Sequence, residues 1–538
     1  VYKRQFQGII TGDNNKFLRL WSELEISKIA LHKGNINEIS LNNTYWIPYN
    51  KGGIFRKWYG IQDVVVYWKN GPRDKTRGKE GFQKYYLKEY VAWSYTVNNS
   101  IATRYYPKGF LWDVRGSGIM DKGKNMLFYL QAFITSKVGF KTFRVNGSNL
   151  SCQVENILQL PIIYNENKKI FVDSLVKKNI AISRFDWDSH ETSWDFETNP
   201  LLAVDENTYI DNINHEIELH EKETGKHICI DLVTPQLGSL QWRMEQYKKK
   251  WKYLFMQLHE NEEELNRQFI DIYGLQDELT PEVPLDEITI LQQGEINVVD
   301  NGLNWNDDVL IKQLISYAIG CMMGRYSIDR KGLVLANQGD GLKEYEDLVP
   351  NSRFKVDDDG IIPLMSSDTD FADNATKRFK HWLAIAFGED TLVENLNFIE
   401  GVLKKNLTDY FVKDFWKDHK KMYQNRPIYW LFSSKKGAFQ CITYMHRMNP
   451  YTAECIRTKY LLPHIEWLLQ KQNEMKANST NLSIGERKQL DNINKQIDEC
   501  REYHDRLHVI ADQQIAFDLD DGVVVNYAKF GDVLQKLK

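Results

Sequence analysis

Between Trp46 and Gly60 the chain reads WIPYNKGGIFRKWYG, with Lys51, Arg56 and Lys57 set among Trp46, Tyr49, Phe55, Trp58 and Tyr59 around Gly52-Gly53. Such cations meet phosphates, aromatic rings stack on bases or brace a loop, and paired glycines let a backbone approach a polyanion. Upstream, GIITGDNNKFLRLW (Gly8 to Trp21) places a Thr11-Gly12-Asp13-Asn14 turn ahead of a helix. The same residue types also suit a solvated surface, where Lys and Arg stems lie along apolar neighbours and keep their charges in water.

Other chemistry fails on spacing. The chain has no Walker phosphate loop, HExxH pair, GxSxG elbow or nuclease PD…(D/E)xK pattern. Gly116-Ser117-Gly118 lacks the third glycine and the βαβ setting of a dinucleotide site, so it reads as a turn. Met448-Asn449-Pro450-Tyr451 has one proline where the adenine-holding turn of amino-methyltransferases has two, and it reads as a helix boundary. FDWDSHETSWDFE (185–197) gathers acids, but their spacing matches no metal loop, and Trp187, Trp194 and Phe196 mark a docked segment. The six cysteines are scattered without a CxxC pair, which points to free thiols in a reducing compartment. No metal site is expected.

The elements that must position these residues fall into two kinds. Over residues 6–165 short β-like runs alternate with turns, among them VVVYW (64–68) and YVAWSYTV (90–97), and MLFYLQAFITSKVGF (126–140) predicts an amphipathic helix. Residues 238–273 carry apolar positions at 3/4 spacing and predict one long helix ended by Gly274. Residues 305–410 read as mainly helical, 410–470 as helical with a turn at 435–437, and the last helix starts at a capping box, Ser483 to Glu486. Its seam of Leu490, Ile493, Ile497, Cys500, Leu507 and Ile510 is expected to pack on Ile456, Leu462, Ile465 and Leu469 as a helical hairpin, followed by a short strand in 518–531. The fold class is α+β.

Charge is segregated along the chain. Residues 1–150 hold 24 Lys+Arg against 10 Asp+Glu, a net of +14, and the remaining 45 against 63 give −18. A basic first quarter suggests a polyanionic partner held at one end. No apolar run approaches the length of about 18–20 residues that a membrane helix needs. Residues 1–5, VYKRQ, equal the translation of a common transposon adapter end and are read as adapter residues ahead of a truncated reading frame.

GIITGDNNKFLRLW, WIPYNKGGIFRKWYG and RYYPKGFLWDVRGSGIM resemble the region after the catalytic domain of large DNA adenine-N6 methyltransferases. Residues 126–162 are similar to the closing element of their target-recognition domains, with Thr135-Ser136 where Asn-Ser is usual. DWDSHETSWDF, ENEEELNRQFIDIYGLQDELTPEV, SYAIGCMMGRYSIDRKGLVLANQG, KDFWKDHKKMYQNRPIYWLFSSKKGAFQCITYMHRMNPYT and FDLDDGVVVNYAKF together resemble the PglX-type methyltransferases of BREX phage-exclusion systems.

The resemblance implies the C-terminal part of such an enzyme: a mixed α/β target-recognition-like DNA-binding domain, then a mainly α-helical region with long helices. The domain boundaries are expected at 1–20, 21–165, 166–280, 281–405 and 406–538. It also implies S-adenosylmethionine as cofactor of the full-length enzyme, with none bound by this chain. The catalytic and cofactor motifs lie in a preceding domain, so no catalytic residue is carried over and the chain alone is expected to be inactive. The expected partners are double-stranded DNA, other BREX defence proteins and phage DNA-mimic inhibitors, in the cytoplasm and without a membrane. Lys16, Arg19, Lys51, Arg56, Lys57, Arg104 and Lys108 are the expected phosphate contacts, and the arginines are also candidates for guanine edges. Ser94, Asn98 and Asn99 are candidates to read bases, and Tyr49, Trp58 and Tyr106 to support or stack. The competing reading is a protein-docking module of a defence complex that reads no DNA sequence.

Overall fold

The computed structural model describes residues 8–35, 39, 44–69, 85–95, 97, 100–121, 123–146, 151–204, 237–300, 302–366, 369, 371–477 and 483–537. The adapter-like residues 1–5 and the candidates Asn98 and Asn99 lie outside them. The chain divides into two compact units: residues 1–196 with 249–306, and residues 197–248 with 307–538.

The first unit is built on two small sheets. Strands β1 (Leu18–Leu20), β2 (Trp46–Asn50), β3 (Val64–Tyr67) and β6 (Leu111–Trp112) form a sheet in the order β1-β3-β2-β6, with β2 and β6 parallel. Pro48 is tolerated inside β2 because β6 pairs only from Tyr49 onward. One face of this sheet sends Leu18, Ile47, Tyr49, Val66 and Leu111 into a core with Ile9, Ala30 and Trp68. Strands β4 (Tyr90–Trp93), β5 (Thr103–Tyr106) and β7 (Gly118–Ile119) make the second sheet in the order β5-β4-β7. The strand expected over 90–97 therefore ends at Trp93.

The helix expected over 126–140 is two helices, α1 (Leu127–Thr135) and α2 (Lys137–Asn146). Ser136 breaks them: its extended backbone ends α1, and its Oγ accepts from Gly139 N (3.1 Å) to cap α2. A Cβ at Gly139 would fall 2.1 Å from Phe133 O, so this close helix-to-helix corner needs glycine. Helix α1 is buried almost all round rather than amphipathic. It packs on α3 (Glu166–Asp188) and, through Tyr129 and Phe133, on Phe269 of the long helix α4 (Leu240–Tyr273) at ring distances of 5.3 and 5.6 Å. Gly274, at φ 64°, ends α4 with bonds from Gly274 N to Asp271 O and from Leu275 N to Ile270 O, as its position in the sequence predicted. A hairpin of β8 (Ile296–Val299) and β9 (Gly302–Trp305) follows.

The second unit takes residues 240–248 of α4 and centres on α5 (Asp307–Met322), which packs against α6 (Ala375–Phe387) and α7 (Leu392–Leu403). Its sheet, in the order β10-β12-β11, consists of β10 (Ile361–Pro363), β11 (Tyr429–Ser433) and β12 (Gln440–Tyr444). Residues 410–470 are thus not all helical. Every residue of β11 and β12 is buried, so the run carries no polar alternation by which a strand is recognised. Helices α8 (Leu462–Ala477) and α9 (Ile484–Asp512) form the expected antiparallel hairpin, with Arg457 ahead of α8 meeting His504 and Gln472 meeting Asn494. The expected strand in 518–531 is instead helix α10 (Val523–Ala528), where Val523, Asn526 and Tyr527 are buried at helical spacing and Tyr527 packs on Trp430 (5.3 Å). That packing overrides the β preference of three successive valines.

Candidate nucleic-acid interface

The basic aromatic loop lies largely in the interior. It leaves the first sheet as β2, turns at Gly52-Gly53, and joins β5 of the second sheet, where Trp58 N donates to Thr103 O (2.6 Å) and Tyr105 N to Trp58 O (2.7 Å). Arg56 is 3% exposed; its Nη2 donates to Asp186 Oδ2 (2.7 Å), its Nε donates to Tyr59 O (2.7 Å), and it lies over the Trp187 ring. Lys57 is 2% exposed, with Nζ 2.7 Å from Glu262 Oε2 and 3.6 Å from Glu287. Trp58 Nε1 takes the other oxygen of Glu262 at 2.7 Å. The loop is therefore a joint between the sheets and helices α3 and α4. Its charges are matched by carboxylates 130 and 205 residues away in sequence.

Other predicted contacts are corrected for the same reason. Arg104 is fully buried, and its Nη1 donates to Ser94 Oγ (2.9 Å) and Arg56 O (3.0 Å). Ser94 is buried under it, with its hydroxyl toward Ile54 O (3.3 Å). Tyr106 is buried and stacks on Tyr90 at 5.1 Å. Arg19, 8% exposed, donates to Asn15 O (2.6 Å) and Leu18 O (2.8 Å) and lies over Trp46. Tyr49 bonds Ile9 O (2.9 Å) and Asp113 (3.1 Å), and Trp58 is likewise interior. These groups brace the domain and present no cationic end or free ring to a phosphate or base.

Lys16, Lys51 and Lys108 keep exposed surface. Lys51 Nζ bonds Asp113 Oδ2 (2.5 Å) and Asn14 Oδ1 (3.3 Å), which ties the short helix Asn14–Phe17 that carries Lys16 to the end of the parallel pair β2/β6. Lys108 precedes β6 at the opposite end of that pair, so the exposed predicted cations do not form one cluster. Gly116-Ser117-Gly118 offers no cofactor cradle: a Cβ at Gly116 would meet Asn50 O at 2.5 Å, and one at Gly118 the Tyr90 ring at 2.6 Å.

The acidic segment, as far as Phe196, is packed into this unit. Asp186 holds Arg56 and accepts from Leu291 N (2.8 Å), and His190 Nε2 meets Glu295 Oε1 at 2.6 Å inside the core. Burial opposes a charge on His190, but Glu295 outweighs it and raises its pKa. Among the described residues no group of three or more His, Cys, Asp or Glu side chains is placed to hold a metal ion, and no helix is long and apolar enough to cross a membrane. In the second unit Asn449 Oδ1 accepts from Tyr451 N (2.9 Å) just ahead of the helix at Thr452, consistent with a helix boundary.

The chain is 33% identical over 565 aligned residues to the adenine-specific methyltransferase BrxX of Escherichia coli O9:H4 (strain HS), and the match covers 99% of this chain and 43% of the relative. It is 35% identical over 549 residues to the adenine-specific methyltransferase PglX of Lacticaseibacillus casei (strain Zhang), covering 97% of this chain and 42% of the relative. The chain is a homologue of part of these BrxX/PglX methyltransferases. It spans less than half the length of either relative. No family model matches it.

For this BrxX/PglX homologue the structure places an exposed cation beside Lys51 that the sequence reading passed over. Arg115 lies beside Lys51: its carbonyl is 3.3 Å from where a Cβ on Gly52 would stand, and its backbone N donates to Asp113 Oδ1 (2.9 Å). The signal was present in RYYPKGFLWDVRGSGIM, where Arg115 comes two residues after Asp113 and directly precedes a Gly-Ser-Gly turn, the usual setting of an exposed loop tip.

Proposed function

We propose that this chain is the C-terminal, DNA-recognising and scaffolding portion of a site-specific adenine-N6 DNA methyltransferase that marks host DNA in a BREX antiphage system, acting in the cytoplasm. The observation that carries this reading is the match along nearly the whole chain to two adenine-specific methyltransferases, with more than half of each relative left outside it. S-adenosylmethionine would be bound and the methyl group transferred by residues outside this chain. The chain itself would supply DNA contact through the exposed cations Lys16, Lys51, Lys108 and Arg115 of the first unit. Asn98 and Asn99 remain candidates to read bases. The net charge of +14 over residues 1–150 supports a polyanion there.

A second reading is supported by an apolar display on the first unit. The Tyr273 hydroxyl donates to Pro161 O (2.5 Å) and accepts from Ile163 N (2.8 Å), pinning a segment whose Ile162, Ile163 and Tyr164 are 37, 47 and 49% exposed. Ile170 and Phe171 extend it, and a surface of this kind suits docking to another protein of the defence system.

The test is fluorescence anisotropy of the folded chain with random-sequence duplexes across a salt series. Binding that falls steeply with salt is the expected result, together with no methyl transfer from labelled S-adenosylmethionine by the chain alone. A folded chain that binds no duplex at low salt removes the DNA reading and leaves the docking one.

A further inference from the structure

The turn after β2 ends in an apolar side chain held out in solvent. Ile54 is 70% exposed, and Tyr95, just past β4, is 42% exposed. Single apolar side chains on a surface are ordinary. These two differ in how firmly their carriers are fixed. Ser94 Oγ donates to Ile54 O (3.3 Å), and the fully buried Arg104 reaches Ser94 Oγ (2.9 Å), Arg56 O (3.0 Å) and Ile54 O (3.4 Å) from beneath. On the other side, Cys152 N donates to Tyr95 O (2.8 Å), and Trp93 Nε1 donates to Cys152 O (2.9 Å). Gly52 and Gly53 have φ of 83° and 151°, and a Cβ on Gly53 would come within 2.7 Å of the Ile61 side chain. A buried guanidinium is costly to desolvate, and here it serves the backbone of one turn. The outcome is two apolar tips on either side of a single hydrogen bond, with little freedom to fold back.

Charge says what meets them. The tips belong to the unit formed by residues 1–196 with 249–306, which holds 33 Lys+Arg against 29 Asp+Glu, a net of +4, and Lys51, three residues before Ile54, keeps 33% of its side chain exposed beside Asp113. A polyanion is the partner that such a surface attracts. Among polyanions, duplex DNA also offers apolar ground: thymine methyls, base faces at an opened step, and sugar edges.

We infer that Ile54 and Tyr95 form a rigid apolar contact to the base and sugar surfaces of duplex DNA, with Arg104 as the residue that positions it. This rests on the DNA reading above and adds the groups that touch the duplex interior. An apolar contact releases no counterions, so it strengthens binding without altering its salt dependence.

The experiment compares wild type, Ile54→Ser and Tyr95→Ala in the intact chain by anisotropy over the same salt series, with melting temperatures alongside. Each variant is expected to bind random duplex about tenfold more weakly, as loss of one stacking or apolar contact implies, with the slope of log affinity against log salt and the melting temperature unchanged. Photo-cross-linking of wild type to duplexes containing 5-iodouracil is expected to label the peptide that holds Tyr95. If wild type binds with a steep slope, while both variants stay within about twofold of it and cross-links fall only elsewhere, the contact is refuted and the DNA reading stands. A weaker affinity accompanied by a shallower slope also refutes it, since that is the signature of a lost phosphate contact. Failure of wild type to bind any duplex refutes both together.

Discussion

Lys57 and Glu262 meet at 2.7 Å with 3% and 4% of their side chains exposed, and the second oxygen of the same carboxylate accepts from Trp58 Nε1. Two adjacent residues of one loop thus share a single acid from helix α4. Removing Lys57 leaves the Glu262 carboxylate as an uncompensated charge in the interior, which costs about 3–5 kcal/mol, whereas removing Glu262 leaves Lys57 with Glu287 at 3.6 Å. Lys57→Met is expected to destabilise the chain by about that amount in urea unfolding, and Glu262→Gln by less, because Glu287 still faces Lys57. The double variant should lose less than the sum, because neither charge is then stranded. A loss below about 0.5 kcal/mol for Lys57→Met would rule out the buried pair.

The same geometry reverses an inference drawn from composition. Arg56 and Lys57 look like phosphate ligands, yet both are occupied by Asp186 and Glu262. Removing exposed cations is instead expected to change the salt response of DNA binding. Lys16→Ala, Lys108→Ala and Arg115→Ala should each lower the slope of log affinity against log salt by about 1. Lys57→Met, assayed below its own melting transition, should leave that slope as in wild type. A slope that drops for Lys57→Met and not for the others would place the contact back in the loop.

The contrast shows which parts of the molecule the residues announce. The long helix to Tyr273, its Gly274 stop and the Ser483 capping box are local patterns, and each appears where periodicity and cap chemistry put it. The hairpin of β11 and β12 is hidden because burial on both faces erases the alternation that marks a strand. The loop 46–60 misleads for another reason. The fate of a Lys or Arg depends on whether a carboxylate arrives from elsewhere, and Asp186 and Glu262 are brought to it only by tertiary packing. Lys16, Lys51 and Lys108 keep exposed surface because they sit in short connecting segments at the ends of strands, and such segments run over the surface whichever way the core packs.

Ser483 opens helix α9 with a reciprocal pair: its Oγ accepts from Glu486 N (3.3 Å), and Glu486 Oε2 accepts from Ser483 N (2.8 Å). Loss of the cap hydroxyl typically costs about 1 kcal/mol. Ser483→Ala is therefore expected to raise amide exchange in the first turn of α9 while leaving exchange around Cys500 and Leu507 as in wild type, because those residues lie in the buried seam. Uniform loss of protection along α9 would mean that the cap governs the whole helix.

His419 supplies a pH test in the second unit. It is buried, its Nε2 accepts from Tyr429 N (3.1 Å), and burial together with the nearby Arg325 lowers its pKa to about 3. Unfolded, the same imidazole titrates near 6.5. Below that pH the unfolded chain binds a proton that the folded chain refuses, so stability falls as pH drops through 6.5 and continues to fall until the folded group titrates. Between pH 7.5 and 5.5 this amounts to about 1.4 kcal/mol. His464, lowered to about 4 by burial, acts in the same direction, whereas Asp357, pushed up to about 7 by burial and by Asp359, acts in the opposite one. Both are unchanged in a His419→Gln variant, whose amide oxygen can still accept from Tyr429 N. Wild type is therefore expected to lose about 1.4 kcal/mol more than His419→Gln between the two pH values in urea unfolding followed by circular dichroism. Parallel pH profiles for the two proteins would mean that His419 is protonated in the folded chain and that its ring nitrogen does not accept from β11.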